Sequence, residues 1–316
     1  MVNLTSPVAK AAPGKILLPG DLPTSVAEAA TDGANLLGAI WQGFRRRDSW
    51  TAASLLRLSW VFALATLCSW LGIVLSRQSE GVATIWLSNA LIFGLLITQP
   101  KRLWLAYFLA GLTADTLADL LYGDPFRVAI GVSLANSIEV VTSCLLLTLW
   151  FDSPLDLSKR RSLVGFLLIS VLGATALSSA LGAWWTLLMF AGPPWWQMFR
   201  TWYLGDMLGM AVLAPLVIMM QRHAFFSMFE RGRLPNTLLV LSVPVVVTAL
   251  VFTHSKDPLI FFMFPTLLLV AFRLGLPGTV VDILLITLMA IGLTVKGQGP
   301  LMLILGEHQL LHRIVI

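Results

Sequence analysis

From residue 58 onward the chain alternates long apolar blocks with short polar or basic stretches. The blocks fall near 58–76, 82–98, 103–121, 128–150, 163–190, 199–220, 237–253, 258–272 and 278–295, and another begins near 309. At about 1.5 Å of rise per helical residue, most can cross a hydrocarbon layer roughly 30 Å thick. The pattern predicts an all-α, polytopic integral membrane helix bundle of about nine to ten spans. Residues 1–54 are read as a cytoplasmic N-terminal tail. Residues 55–316 form the membrane domain, cut off in or before its last span.

Polar residues interrupt these blocks at a shared depth. Counting residues from the outer ends, Asn89 lies about 10 Å deep, Asp115 and Asp119 fall in the outer half, and Asn136 and Glu139 lie in the outer half to the middle. Asp206 sits about as deep as Asn89. Ionisable groups in hydrocarbon are expensive and usually face a cavity or a partner. Asp115 and Asp119 are one helical turn apart and face the same way, as do Asn136 and Glu139. Two ionised carboxylates so close would repel, so a proton, a cation or water must relieve them. Asp119 has a plainer reading as a marker of the outer boundary beside Tyr122, Gly123 and Asp124.

The pattern Trp202-x-x-Gly205-Asp206-x-x-Gly209-x5-Pro215 sets a carboxylate between glycines. Gly205 and Gly209 would let another helix backbone approach closely, and the fourth span is the expected neighbour. Pro215 completes the packing motif. The fifth span, 163–190, is too long to cross upright, so it should tilt, bend or run past the membrane. Its Gly173, Ala174, Ala176, Ser178, Ser179, Ala180 and Gly182 offer a face for close packing. Trp184, Trp185, Trp195, Trp196 and Trp202 crowd the outer ends of the fifth and sixth spans around Gly192-Pro193-Pro194. An interface belt and a roof over an outward-facing pocket are both consistent with them.

Composition narrows the class. The chain is 57% hydrophobic and 12% charged, against about 25% charged in soluble domains. Basic residues set the orientation. With the N-terminus cytoplasmic, the inner side receives 13: Arg45, Arg46, Arg47, Arg57, Lys101, Arg102, Lys159, Arg160, Arg161, Arg222, Arg231, Arg233 and Arg273. The outer side receives 5: Arg77, Arg127, Arg200, Lys256 and Lys296. The net charge of +5 is thus explained by anchoring at the inner face, and no nucleic-acid partner is implied. Ser25 to Arg47 reads equally as a helix lying on the inner leaflet or as a loose tail.

Cys68 and Cys144 lie inside spans, which argues against a disulfide or a cysteine metal site. His308 and His312 have one-turn spacing but lack a defined set of partners, so neither a metal nor a cofactor is expected. GxxxxGK[ST], GxSxG and HExxH are absent from the sequence, and the loops are too short to hold a soluble domain. The chain itself is therefore not expected to be an enzyme.

Several stretches carry a resemblance. They are Ile85-Trp86-Leu87-Ser88-Asn89-Ala90, the run from Lys101 to Gly111, and Ala135-Asn136-Ser137-Ile138-Glu139. They continue with Trp202 to Gly209 followed by Pro215, and with Phe264-Pro265 followed by Arg273 to Gly278. In this order they resemble the first class of membrane-associated sensor (MASE) domains of bacterial signalling proteins. Asp115 and Asp119 lie outside those stretches, and their role rests on the depth argument. The resemblance implies a sensory input domain of the bacterial inner membrane, joined to a C-terminal output domain: a diguanylate cyclase first, a histidine kinase next. Cyclic di-GMP or two-component signalling would follow. It implies no particular ligand.

Candidate signalling residues are Asn89, Asp115, Asn136, Glu139, Trp202 and Asp206. The expected partners are the lipid bilayer, a periplasmic small molecule or a partner membrane protein, and a second copy of the chain. The alternative function is a small-solute or ion transporter or channel, since buried carboxylates and discontinuous spans also suit ion-coupled transport.

Overall fold

The computed structural model describes residues 35–36, 38–42, 51–78, 85–151, 155–189, 194–253 and 259–299. Their regular structure is helical throughout. In chain order the elements are α1 (Ala52–Gln78), α2 (Ser88–Thr98), α3 (Trp104–Tyr122), α4 (Phe126–Trp150) and α5 (Arg160–Met189). They continue with α6 (Trp195–Met220), the short α7 (His223–Ser227), α8 (Leu234–Thr253) and α9 (Met263–Val295). The last expected span, near 309, lies outside the described residues, as do His254, His308 and His312. Within the segment 25–47, residues 35–36 and 38–42 are helical, with Leu36 buried and Ile40 packed on the main core.

Among the described residues, seven helices are long and apolar enough to cross a membrane, where nine to ten spans were expected of the chain. Two places account for the difference among the described residues. The second predicted span yields only the 11-residue α2, about 16 Å at the usual rise. Residues 85–87 ahead of it are not helical; Ile85 and Trp86 are bulky residues that lose side-chain freedom in a helix. The eighth and ninth predicted spans merge into α9, broken at Gly275 by φ 64° and ψ −162°. The first piece, 263–274, is too short to cross the hydrocarbon alone.

The half-height α2 sits at the centre. Eight of its 11 residues are buried, and it packs against α1, α3, α4 and α6. Phe93 of α2 stacks on Phe166 of α5 with ring centroids 5.9 Å apart. Gly94 lets α6 approach, because a Cβ there would lie 2.7 Å from Val217 Cβ. The length of α5 is taken up by a π-helical stretch at Leu167–Ala174, which fits more residues into each turn. Ala174, Ser178, Ser179 and Gly182 of its small-residue face are buried, while Gly173 is exposed.

On the basic side, Arg222 at the end of α6 pairs with Asp156 at 3.2 Å and donates to the Leu155 carbonyl at 3.1 Å. This ties α6 to the loop between α4 and α5. The Ser158 backbone N–H, donating at 3.1 Å, together with the Arg222 charge, holds the Asp156 carboxyl below its ordinary range.

Candidate functional site

The break before α2 creates a problem that α6 solves. Non-helical backbone at membrane depth must find partners within the protein. The Trp86 N–H donates to the Gly205 carbonyl at 3.0 Å. A Cβ on Gly209 would lie 1.7 Å from the Trp86 carbonyl oxygen, so only glycine admits that strand of chain. Gly205 thus supplies a carbonyl, and Gly209 the space, for a non-helical segment of the second span, not a helix, and α6 packs against α2 and α5 instead of the fourth span. Pro215 lies within the helical run of α6.

That arrangement brings Asp206 to the same level as the polar residues of α2, α3 and α4. Asp115 is the hub. Its Oδ1 accepts from Ser69 Oγ of α1 and from Ser88 Oγ at 2.5 Å, and its Oδ2 faces Asn136 Nδ2 at 3.5 Å. Ser69 has one proton to share between Asp115 and the Ala65 carbonyl at 2.9 Å. Asn89 Nδ2 donates to Glu139 Oε2 at 2.8 Å. Ser179 Oγ of α5 lies 3.5 Å from Asp206 Oδ2. Six helices, α1 to α6, therefore contribute three hydrogen-bonded sets, centred on Asp115, Glu139 and Asp206, which electrostatic interaction joins into one buried network.

The network is rich in carboxyl groups and enclosed. Asp115, Glu139 and Asp206 are 6%, 0% and 5% exposed. The buried polar residues among those described include no Lys, Arg or His. Glu139 Oε1 is buried with no hydrogen-bond partner. Between Asn89, Asp115 and Asn136 lies a void of about 10 Å³, the scale of a single water. Asp119 is also buried, and its carbonyl accepts from the backbone of Gly123 and Asp124, closing α3.

A family model described as MASE1 matches residues 54–311, most of the chain. The chain belongs to the MASE1 family. MASE1 is a family of membrane sensory domains, which agrees with the resemblance read from the sequence. Neither a curated protein nor a solved structure matches the chain.

In this MASE1 domain the tryptophans at the ends of α5 and α6 away from the basic side divide into two groups. Trp184 and Trp196 are exposed, at 56% and 62%. The rings of Trp195, Phe199 and Tyr203 stack along α6 at 5.2 and 5.5 Å. These form a belt. Trp185 and Trp202 turn inward instead, onto Gly131 of α4 and Gly182 of α5, and Trp86 sits on Gly72 of α1. Each indole occupies the place a Cβ would take. All three glycines lie in the third of their helices farthest from the basic side that carries Arg222, so the three rings form a layer on that side of the carboxylates.

Reading the sequence missed several parts of this site. Ser69, Ser88 and Ser179 are donors to the network, but serines are common in membrane helices and nothing local marks these. Asp282 of α9 was also missed, although a single carboxylate in an apolar block was a visible signal. It is fully buried, and neither of its oxygens has a hydrogen-bond partner.

Proposed function

We propose that this MASE1 domain is the input half of a bacterial inner-membrane signalling protein. In this reading the N-terminus is cytoplasmic, and the domain passes its signal to a C-terminal cytoplasmic output domain. A diguanylate cyclase is the first choice and a histidine kinase the second. The observation that carries the reading is the network itself: three buried carboxylates, without a basic partner among the described buried residues, held by α1 to α6. A change in what occupies it would alter the relative stability of different helix arrangements. Only an input that binds two arrangements unequally can switch them.

The small void and the layer of indoles favour an ion-sized input, or lateral contact with a partner membrane protein, over a bulky periplasmic molecule. Asn89, Asp115, Asn136, Glu139 and Asp206 are the sensing residues in this reading, and Trp202 closes the site. A homodimer would bring two output domains together.

The test uses the full-length protein. Glu139→Gln and Asp206→Asn keep shape and remove charge, so they should change output activity while folded yield stays near wild type. Unchanged output from both folded variants across growth conditions would move the sensing role to a protein partner. The broken second span favours ion-coupled transport as the second reading. Uptake of a labelled ion by liposomes carrying the protein would support that reading against the sensor.

A further inference from the structure

The void beside Asp115 has features that together specify an occupant. Its size excludes an organic ligand: about 10 Å³, against the roughly 300 Å³ or more of small-molecule pockets. Its lining includes Asn89, Asp115, Asn136 and Ser137, which offer carboxylate, amide and hydroxyl oxygens. Charge is the second consideration. Ser88 donates to one oxygen of Asp115 and Asn136 faces the other, the arrangement that suits an ionised carboxylate. Among the described residues the donors to this carboxylate, Ser69, Ser88 and Asn136, are neutral hydroxyls and an amide, so the hydrogen bonds fill lone pairs but bring no counter-charge. A buried charge without a counter-charge is expensive.

Glu139 interacts electrostatically with both Asp206 and Asp115, so a charge placed beside any one of the three acts on the others. Asp115 is the one of the three carboxylates that lines the void. The unpartnered, fully buried Glu139 Oε1, joined to the void's edge through Asn89, is a second acceptor lacking a donor. No group of three His, Cys, Asp or Glu among the described residues could hold a metal ion. That weighs against a divalent ion and leaves a singly charged one, which a single carboxylate neutralises.

We propose that this void is a binding site for a monovalent cation of about sodium size. Asp115 supplies the charge, and Asn89, Asn136 and Ser137 supply neutral oxygens. The proposal rests on reading the network as the sensory site and names the chemistry of its input.

The experiment measures thermal unfolding of the purified chain in lipid nanodiscs. Sodium chloride is titrated against choline chloride at constant ionic strength, at two pH values. Sodium should raise Tm saturably, by about 5 °C at high occupancy. Asp115→Asn should abolish the rise, and Asn136→Ala should shift its midpoint to higher sodium. A wild-type Tm that follows ionic strength whichever cation is present overturns the site. So does a Tm that responds to acidification alone, with the proton as sole occupant, and so does a sodium effect that survives Asp115→Asn. If Asp115→Asn does not fold, the wild-type titration and the Asn136→Ala midpoint decide. Output of the full-length protein in sodium and in choline separates the two claims. A sodium-dependent Tm with flat output rejects only sensing. A flat Tm with output that depends on Glu139 and Asp206 rejects only the ion site.

Discussion

Around α2 the carboxylates are partnered and several helices converge, whereas α8 and α9 pack mainly against each other and leave most of their remaining surface exposed. In the most apolar stretch of α6, 56% of residues are buried, against 11% in the stretch that includes α9. Phe261 and Phe272 are 81% and 86% exposed. Asp282 has no solvent-exposed surface, like Glu139, though fewer protein atoms surround it, and it has no donor on either oxygen, while Asp115 draws on three elements besides its own. Burial alone therefore does not make a site. A site forms where several helices each place a small polar donor at one depth, and that requires close backbone approach. In the first region glycines provide it: Gly72, Gly131, Gly182 and Gly209 each seat an indole or a carbonyl. Gly292 in α9 has open space where a Cβ would go.

Gly209→Ala against Gly292→Ala breaks this comparison most sharply. The first pushes a Cβ into the Trp86 backbone and should destabilise by about 3 kcal/mol or more. The second should be neutral or gain up to about 1 kcal/mol from helix propensity. Folded yield and Tm in detergent read both, and equal effects would mean that the two regions are packed alike.

Next in size come the carboxylates. Asp115→Leu leaves Ser88 and Asn136 without their acceptor and should cost about 1–3 kcal/mol for each stranded group. Asp282→Leu removes an unpartnered buried carboxyl and should leave stability unchanged or raise it. A large loss at Asp282 in the same melting assay would reveal a partner there.

Gly275→Ala sharpens the picture of α9. The conformation at that position, φ 64° and ψ −162°, is nearly exclusive to glycine, so alanine should cost about 1–3 kcal/mol. A wild-type melting curve would show that the break is not needed.

The smallest effect is at the basic face. Asp156→Asn removes a partly exposed pair with Arg222 and should cost about 1 kcal/mol or less. Because the Asp156 carboxyl is held below its ordinary range, its contribution is fully present above the unfolded value, about pH 4. It is lost as pH falls through the lower folded value. The stability difference between wild type and Asp156→Asn should shrink only below about pH 4.

Much of the site was legible because helical rise converts residue number into depth. Asn89, Asp115, Asn136, Glu139 and Asp206 could be placed in one band without knowing which helices touch. Their partners were not legible, since depth says nothing about direction around the helix axis. The Gly205–Gly209 pair announced a close approach, but its occupant, the non-helical Trp86 segment, depends on α2 starting late. The five outer tryptophans were ambiguous for the same reason: Trp184 and Trp185 are adjacent in sequence, and only their orientation separates belt from inner layer.

Membrane residence, the all-helical class and the common depth of the polar residues followed from the sequence by itself. Each is a relation between one segment and the bilayer, and a helix satisfies its own backbone there. The central place of the half-height α2, the occupant of Gly209 and the donor assigned to each carboxylate were decided only by tertiary structure. Lipid tails are as apolar as leucine, so hydrophobicity does not choose neighbours among membrane helices. Shape and hydrogen bonding choose them, and both exist only once the chain is packed.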